Sequence, residues 1–183
     1  MKNDIAYTLV SEEEIDATVS RIAAEIDRDY PDRSKGLLLL CILKGSVVFF
    51  ADLMRAIDLP CKTEFMAVSS YGAATKTSGV VNLVKDLTVD ITGMHVLIVE
   101  DIVDSGMTLS YLKKYLSTRG AASIKIATLL DKPERRRVDL TADYFCFTIP
   151  DEFVVGYGLD YAEKYRNLPD IGVLSPRIYV GEE

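Results

Sequence analysis

His95-Val96-Leu97-Ile98-Val99-Glu100-Asp101-Ile102-Val103-Asp104-Ser105-Gly106-Met107-Thr108-Leu109 is the stretch that decides the fold. Its apolar start, His95 to Val99, reads as a strand buried on both faces, the kind found inside a parallel sheet. Two adjacent carboxylates follow at once, and Asp104 adds a third before a helical stretch from Ser105 to Arg119. Strand, acidic turn, then helix is how an open α/β sheet builds a ligand site at the carboxyl end of a strand. The helix mouth offers free N–H groups and a positive dipole end to a phosphate. Gly106 lets the backbone come close, and the hydroxyls of Ser105 and Thr108 can donate. Asp104 or Ser105 alone is an ordinary helix cap. Glu100-Asp101 is not ordinary, because like charges side by side at a strand end need solvent, a cation or ligand hydroxyls.

Outward from this segment, the chain keeps alternating strand and helix. Ser11 and Glu14 have capping-box spacing, and Ile15, Val19, Ile22 and Ile26 then form one helical stripe. Leu37 to Ile42 is apolar on both faces and reads as a central strand. Lys44-Gly45-Ser46 is a tight turn before a second helix through Val47, Phe50, Ala51, Met54 and Ile57. Cys61 to Ser69 alternates, with Lys62 and Glu64 placed on a wet face. Ser70 to Gly79 interrupts the pattern and Val80 to Val84 resumes it, as a long hairpin with a weakly anchored tip would. Ile124 to Leu130, Tyr144 to Ile149 and Phe153 to Val155 read as further strands, and Gly120 stands at a helix C-terminus. The expected fold is α/β, one domain over residues 1–183, with a mostly parallel central sheet flanked by helices.

The formal net charge is −7, against the basic face that phosphate-bound nucleic acid requires. Arg135-Arg136-Arg137 could still form a local basic patch. No apolar run is long enough to span a bilayer, and the polar start Met1 to Ile5 does not suit a signal peptide. Cys41, Cys61 and Cys146 are odd in number and lie in strand-like stretches, so they are read as buried free thiols in a reducing, cytoplasmic compartment. The single histidine, His95, is read as structural, which leaves no histidine cluster for a metal hydrolase. No Gly-x-Gly-x-x-Gly follows a strand, so a nucleotide-binding dehydrogenase is set aside. The apolar run Val47-Val48-Phe49-Phe50 would suit a contact in a homodimer or homotetramer.

Val99 to Thr108 resembles the phosphoribosyl-pyrophosphate signature of the type I phosphoribosyltransferases, in the wording of the hypoxanthine-guanine branch. Leu43-Lys44-Gly45 is similar to that family's pyrophosphate loop, and Ser70-Tyr71-Gly72 to the start of its flexible loop. Leu129 to Pro133 resembles its purine-contacting lysine segment. Ile149 to Tyr161, continuing to Tyr165-Arg166-Asn167-Leu168, resembles its base-stacking and metal segment. The resemblance implies a small hood over the sheet, a purine base and phosphoribosyl pyrophosphate as partners, Mg²⁺ as cofactor, and no nucleic acid or membrane.

The resemblance also assigns residues. Glu100 and Asp101 hold the ribose hydroxyls and, with Asp160, attend the Mg²⁺. Asp104 is the acid/base at the purine's five-membered ring. Asp104, Ser105, Gly106, Met107 and Thr108 take the ribose phosphate, although some relatives carry lysine at Met107. Lys44, Gly45 and Arg166 contact pyrophosphate, and the Lys44–Gly45 peptide is the one expected to be strained or cis. Lys132 donates to a purine keto group, Phe153 stacks on the ring and Val154 reads the base edge beside Asp160. Taken without the resemblance, Lys132 is a solvated lysine in a charged turn and Phe153 a core residue. An RNA-binding regulator on the same fold, and a phosphoribosyltransferase for another base, are the rival readings.

Overall fold

The computed structural model describes residues 1–32, 34–70 and 81–180. A six-stranded sheet runs in the order β4 (Val81–Lys85), β3 (Cys61–Ser70), β2 (Leu37–Leu43), β5 (His95–Val103), β6 (Ser123–Asp131), β7 (Tyr144–Thr148). Its pairs are parallel except β3 with β4. That antiparallel pair is the expected hairpin. Its tip, with Tyr71 to Gly79, lies outside the described residues, as does the side chain of Ser70.

The alternation of side chains along β2 explains its apolar run. Leu37, Leu39 and Cys41 pack on one face with Ile15, Ile22 and Phe49, from α1 (Glu12–Asp29) and α2 (Val47–Ala56). Leu38, Leu40 and Ile42 pack on the other with Leu109, Leu112 and Leu116 of α3 (Met107–Ser117). Strands buried on both faces need no polar side, so periodicity gives way to a continuous apolar run. The capping box forms as read: Ser11 Oγ accepts from Glu14 N at 3.3 Å, and Ser11 N donates to Glu14 Oε2 at 2.9 Å.

A second, antiparallel sheet of β1 (Ile5–Val10), β9 (Ile171–Leu174) and β8 (Val154–Val155) forms the hood. The sequence reading placed neither β1 nor β9.

Three expectations need correction. Glu64 is not on a wet face: it is 6% exposed, because Lys85 and Thr88 close over it. Cys61 is only half-buried, at the start of edge-proximal β3, whereas Cys41 and Cys146 are buried thiols. Phe49 and Phe50 are buried in the chain's own core, so of the run proposed as a contact between copies only Val47 is exposed. His95 pairs its Nδ1 with Ser123 Oγ at 2.7 Å between neighbouring strands, a structural role. Among the described residues no helix is long and apolar enough to cross a membrane.

Candidate active site

Parallel pairing of β2 with β5 brings the turn after β2 against the acidic end of β5. The fit is close: a Cβ on Gly45 would lie 1.5 Å from Asp101 Oδ2, so no other residue can stand there without moving the carboxylate. The cis peptide is Leu43–Lys44, one bond before the Lys44–Gly45 bond that the sequence reading singled out. A cavity of about 250 Å³ opens between the two segments, lined by Leu43 to Gly45 on one side and Glu100 to Gly106 and Thr108 on the other. One hollow thus joins the expected pyrophosphate, ribose and phosphate groups.

Inside it, Glu100 and Asp101 have few partners. Asp101 Oδ1 accepts from Ile102 N at 2.7 Å, Glu100 Oε1 accepts from Asp101 N at 3.4 Å, and the two carboxyl groups also hydrogen-bond each other. Loss of hydration deep in the cleft pushes the Glu100 carboxyl well above the usual range, and the charge of Asp101 adds to that. Asp101 is also pushed up by burial, with hydrogen bonds opposing. Oxygen donors suit Mg²⁺, which keeps much of its water and shares its shell with substrate phosphates. Among the described residues no three acidic, histidine or cysteine side chains converge to cage a metal alone. The pair therefore fits a cation shared with substrate oxygens and water.

The loop expected to take the phosphate is built as a left-handed turn into α3. Gly106 has φ +78° and precedes the first helical residue, Met107, whose N–H reaches Ser105 Oγ at 3.4 Å. A Cβ on Gly106 would press on Val138 and Arg136 at 3.0 and 3.1 Å. Arg136 braces this loop from behind, donating to the carbonyls of Val103 and Asp104 and pairing with Asp131. Arg137 N adds a bond to Ser105 O at 3.0 Å. The three arginines therefore do not act together as a basic patch. Arg136 serves the loop backbone, and Arg135 serves the acids.

At the base end, a chain of charges runs from Asp104 to Lys132. Arg135 Nε donates to Asp104 Oδ1 at 2.8 Å and Arg135 Nη1 to Asp151 Oδ2 at 3.1 Å. Lys132 Nζ lies 3.4 Å from Asp151 Oδ1 and donates to Glu152 O at 2.7 Å. Lys132 is buried, so it is not a lysine waving in solvent. Phe153 is 41% exposed and stacks on Tyr179 at 5.2 Å, with Tyr161 edge-on at 5.6 Å. Being exposed, its ring is not core. Val154 is buried, with its backbone paired to Val173.

The third group sits over the β2 turn. Arg166 pairs with Asp160 at 2.9 Å and donates to Gly158 O at 2.8 Å. Arg166 and Lys44 share one carboxylate, Glu163, at 3.3 and 3.1 Å. Sequence reading missed Arg135, Arg136 and Glu163. Their only signals were the arginine run and a glutamate in an acidic, tyrosine-rich turn. Tyr71 lies outside the described residues.

A helix mouth opened by a glycine turn, an acidic strand end and a hooded, mostly parallel sheet together are the features of a phosphoribosyltransferase of type I fold. The chain belongs to that family: residues 9–162 match the phosphoribosyl transferase domain. It is 54% identical over 179 residues to the hypoxanthine-guanine phosphoribosyltransferase of Streptococcus pneumoniae (strain ATCC BAA-255 / R6), covering 98% of each chain. Identity to the Bacillus subtilis (strain 168) protein of the same name is 52%, again over 98% of each. A solved hypoxanthine phosphoribosyltransferase from Staphylococcus aureus superposes with a TM-score of 0.93 at 46% identity, covering 98% of this chain and 96% of that one.

Proposed function

We propose that this enzyme transfers the phosphoribosyl group of phosphoribosyl pyrophosphate to hypoxanthine and guanine, releasing pyrophosphate and a purine nucleotide for salvage. One observation carries the reading: a single cavity joins Lys44-Gly45, Glu100-Asp101, Asp104 to Gly106 and Thr108. In the reaction the bond from the anomeric carbon to pyrophosphate oxygen breaks and its electron pair leaves with pyrophosphate. A bond to a purine ring nitrogen forms, and the purine loses one proton. Main-chain donors from Ser105 to Thr108 hold the ribose phosphate at the dipole of α3. Glu100 and Asp101 accept from the ribose hydroxyls. Mg²⁺, held near these carboxylates and Asp160, would offset the charge of the leaving pyrophosphate. Lys44 and Arg166 supply protein cations for the same group.

Asp104 takes the purine proton. Arg135 holds its Oδ1 closely but stands 3.5 Å from Oδ2, which leaves Oδ2 the freer acceptor. Lys132 donates to the keto oxygen shared by hypoxanthine and guanine, and Phe153 offers a ring face. The three unpaired thiols support a reducing, cytoplasmic setting. Assembly as a homodimer or homotetramer is part of the proposal and is checked by light scattering. The deciding experiment incubates a panel of hypoxanthine, guanine, xanthine, adenine and uracil with phosphoribosyl pyrophosphate and Mg²⁺. Nucleotide and pyrophosphate should appear together with the first two. Product from adenine or uracil alone would overturn the assignment.

A further inference from the structure

We propose that Glu163 is an internal stand-in for pyrophosphate, which occupies the two cations of the leaving-group site and trades places with the anion on each turnover. The inference rests on the proposed assignment of Lys44 and Arg166 to pyrophosphate. Those two side chains come from distant parts of the chain, yet they meet at one carboxylate. Glu163 Oε1 takes Lys44 Nζ at 3.1 Å, and Glu163 Oε2 takes Arg166 Nη2 at 3.3 Å. One oxygen per cation is the pattern with which a phosphate group would bridge the same pair.

The backbone is shaped to deliver this contact. Tyr161 and Lys164 exchange both backbone bonds, at 3.2 and 3.0 Å, leaving a two-residue turn. Its central residues, Ala162 and Glu163, have φ of +50° and +61°. Two positive φ values mark a type I′ turn, where Asn-Gly is the usual pair. A glutamate there is in a disfavoured conformation, and Asp160 Oδ2 accepts its N–H at 2.8 Å to hold it. Such cost in a merely connecting turn has no purpose, but it places a carboxylate where an anion must arrive.

The contact is also built to yield. Lys44 and Glu163 are 69% and 65% exposed at the side chain. Exposed pairs of this kind are weak, so pyrophosphate can displace the carboxylate, and the carboxylate can help expel the product. Hydrogen bonds from Lys44 and then Arg166, with the charge of Lys44 adding to them, hold the Glu163 carboxyl below its usual range.

The test measures inorganic pyrophosphate binding, in excess Mg²⁺, by calorimetry on the wild type, Glu163→Gln, Lys44→Ala and the double variant. Glu163→Gln should tighten Kd about two- to fivefold, by removing the competitor. Lys44→Ala should weaken Kd, and in its background the gain from Glu163→Gln should shrink. The turn's fold is checked by thermal melting, since an exposed Glu163 side chain adds little stability. An unchanged or weaker Kd in Glu163→Gln, while Lys44→Ala weakens binding, would show that Glu163 anchors the cations rather than competing for them. If Lys44→Ala also leaves Kd unchanged, the pyrophosphate assignment falls and the stand-in falls with it.

Discussion

Two carboxylate sites on one sheet, only two strands apart, have opposite fates. Glu64 lies within β3 and is 6% exposed. It accepts from Thr88 Oγ1 at 2.6 Å, Phe65 N at 2.8 Å, Lys85 Nζ at 3.1 Å and Thr88 N at 3.2 Å. Burial alone would push its carboxyl up, but these donors outweigh burial and hold it at about 2. Glu100 and Asp101 lie near the carboxyl end of β5, where their hydrogen bonds come from each other and from the local backbone, and burial outweighs these and pushes both up. The difference teaches how to tell fold from function. A buried carboxylate whose donors in the chain outweigh burial is part of the structure, whereas one whose donors do not awaits a partner from outside.

The largest effect that could break this contrast is removal of the outside partner. Substrate pyrophosphate is multiply anionic, and Glu100, Asp101 and Asp160 add charge of the same sign. Nucleotide synthesis should therefore vanish under EDTA and return on addition of Mg²⁺. Full activity in the chelator would mean that the acidic pair serves something other than a cation.

Next in size is Asp104→Asn. A positioned acid/base contributes about 10²–10⁴-fold, so kcat should fall by that range. Affinity for phosphoribosyl pyrophosphate should stay within a few-fold, because the loop donors are main-chain groups braced by Arg136. Near-normal turnover would move Asp104 to the structural side of the comparison, as a simple partner of Arg135.

Glu64→Gln tests the other pole. Breaking a buried, charge-assisted network costs about 2–4 kcal/mol, with catalytic constants of the surviving folded enzyme little changed. The sign of its pH dependence follows from the lowered value. Glu64 binds its proton more weakly when folded than when unfolded, so its contribution is complete above the ordinary value of 4.5 and fades as pH falls from there towards 2. Melting temperature across pH 7 to 3 should thus drop more steeply in the wild type than in Glu64→Gln. Parallel curves would show that Glu64 is not held by these donors.

The same contrast explains what could be read from residue order. The β5–α3 segment was legible because strand, acidic pair, glycine and helix are contiguous, and each states a local requirement. The β2 run and the Ser11–Glu14 cap were legible for the same reason. Glu64 was misread because alternation shows which face a residue takes, not whether Lys85 and Thr88 will cover that face. Strands β1 and β9 pair across more than 160 residues, Ile5 with Leu174 and Val10 with Ile171, and neither carries a local signal of the other. Glu163 was hidden by a turn that contains neither glycine nor asparagine. The roles of Arg135 and Arg136 depend on the loop folding back over Asp104, which a run of three arginines does not announce.

The smallest expected effect concerns Lys132, which sits between the two poles. Like Glu64 it is buried and has partners in the chain, Glu152 O and Asp151. Like Glu100 it is expected to meet a ligand. Its ammonium carries donors only. A keto oxygen at the purine ring accepts from it, whereas the amino group of adenine is a poor acceptor and would leave the charge short of a partner in a closing site. Losing such a charged contact costs roughly 1.5–3 kcal/mol, so adenine should trail hypoxanthine by at least about tenfold in kcat/KM. Lys132→Gln replaces the ammonium with an amide that can either donate or accept, and it should narrow that gap. The gap, not the absolute rate, is the diagnostic quantity, because losing the bond to Glu152 O lowers activity towards both bases alike. Measuring kcat/KM for the two bases in the wild type and in Lys132→Gln separates the outcomes. A variant with lower stability and an unchanged gap would place Lys132 beside Glu64, as a strut between β6 and the hood. A narrowed gap would place it beside Glu100 and Asp101, with Glu152 and Asp151 holding the ammonium in position to read the base.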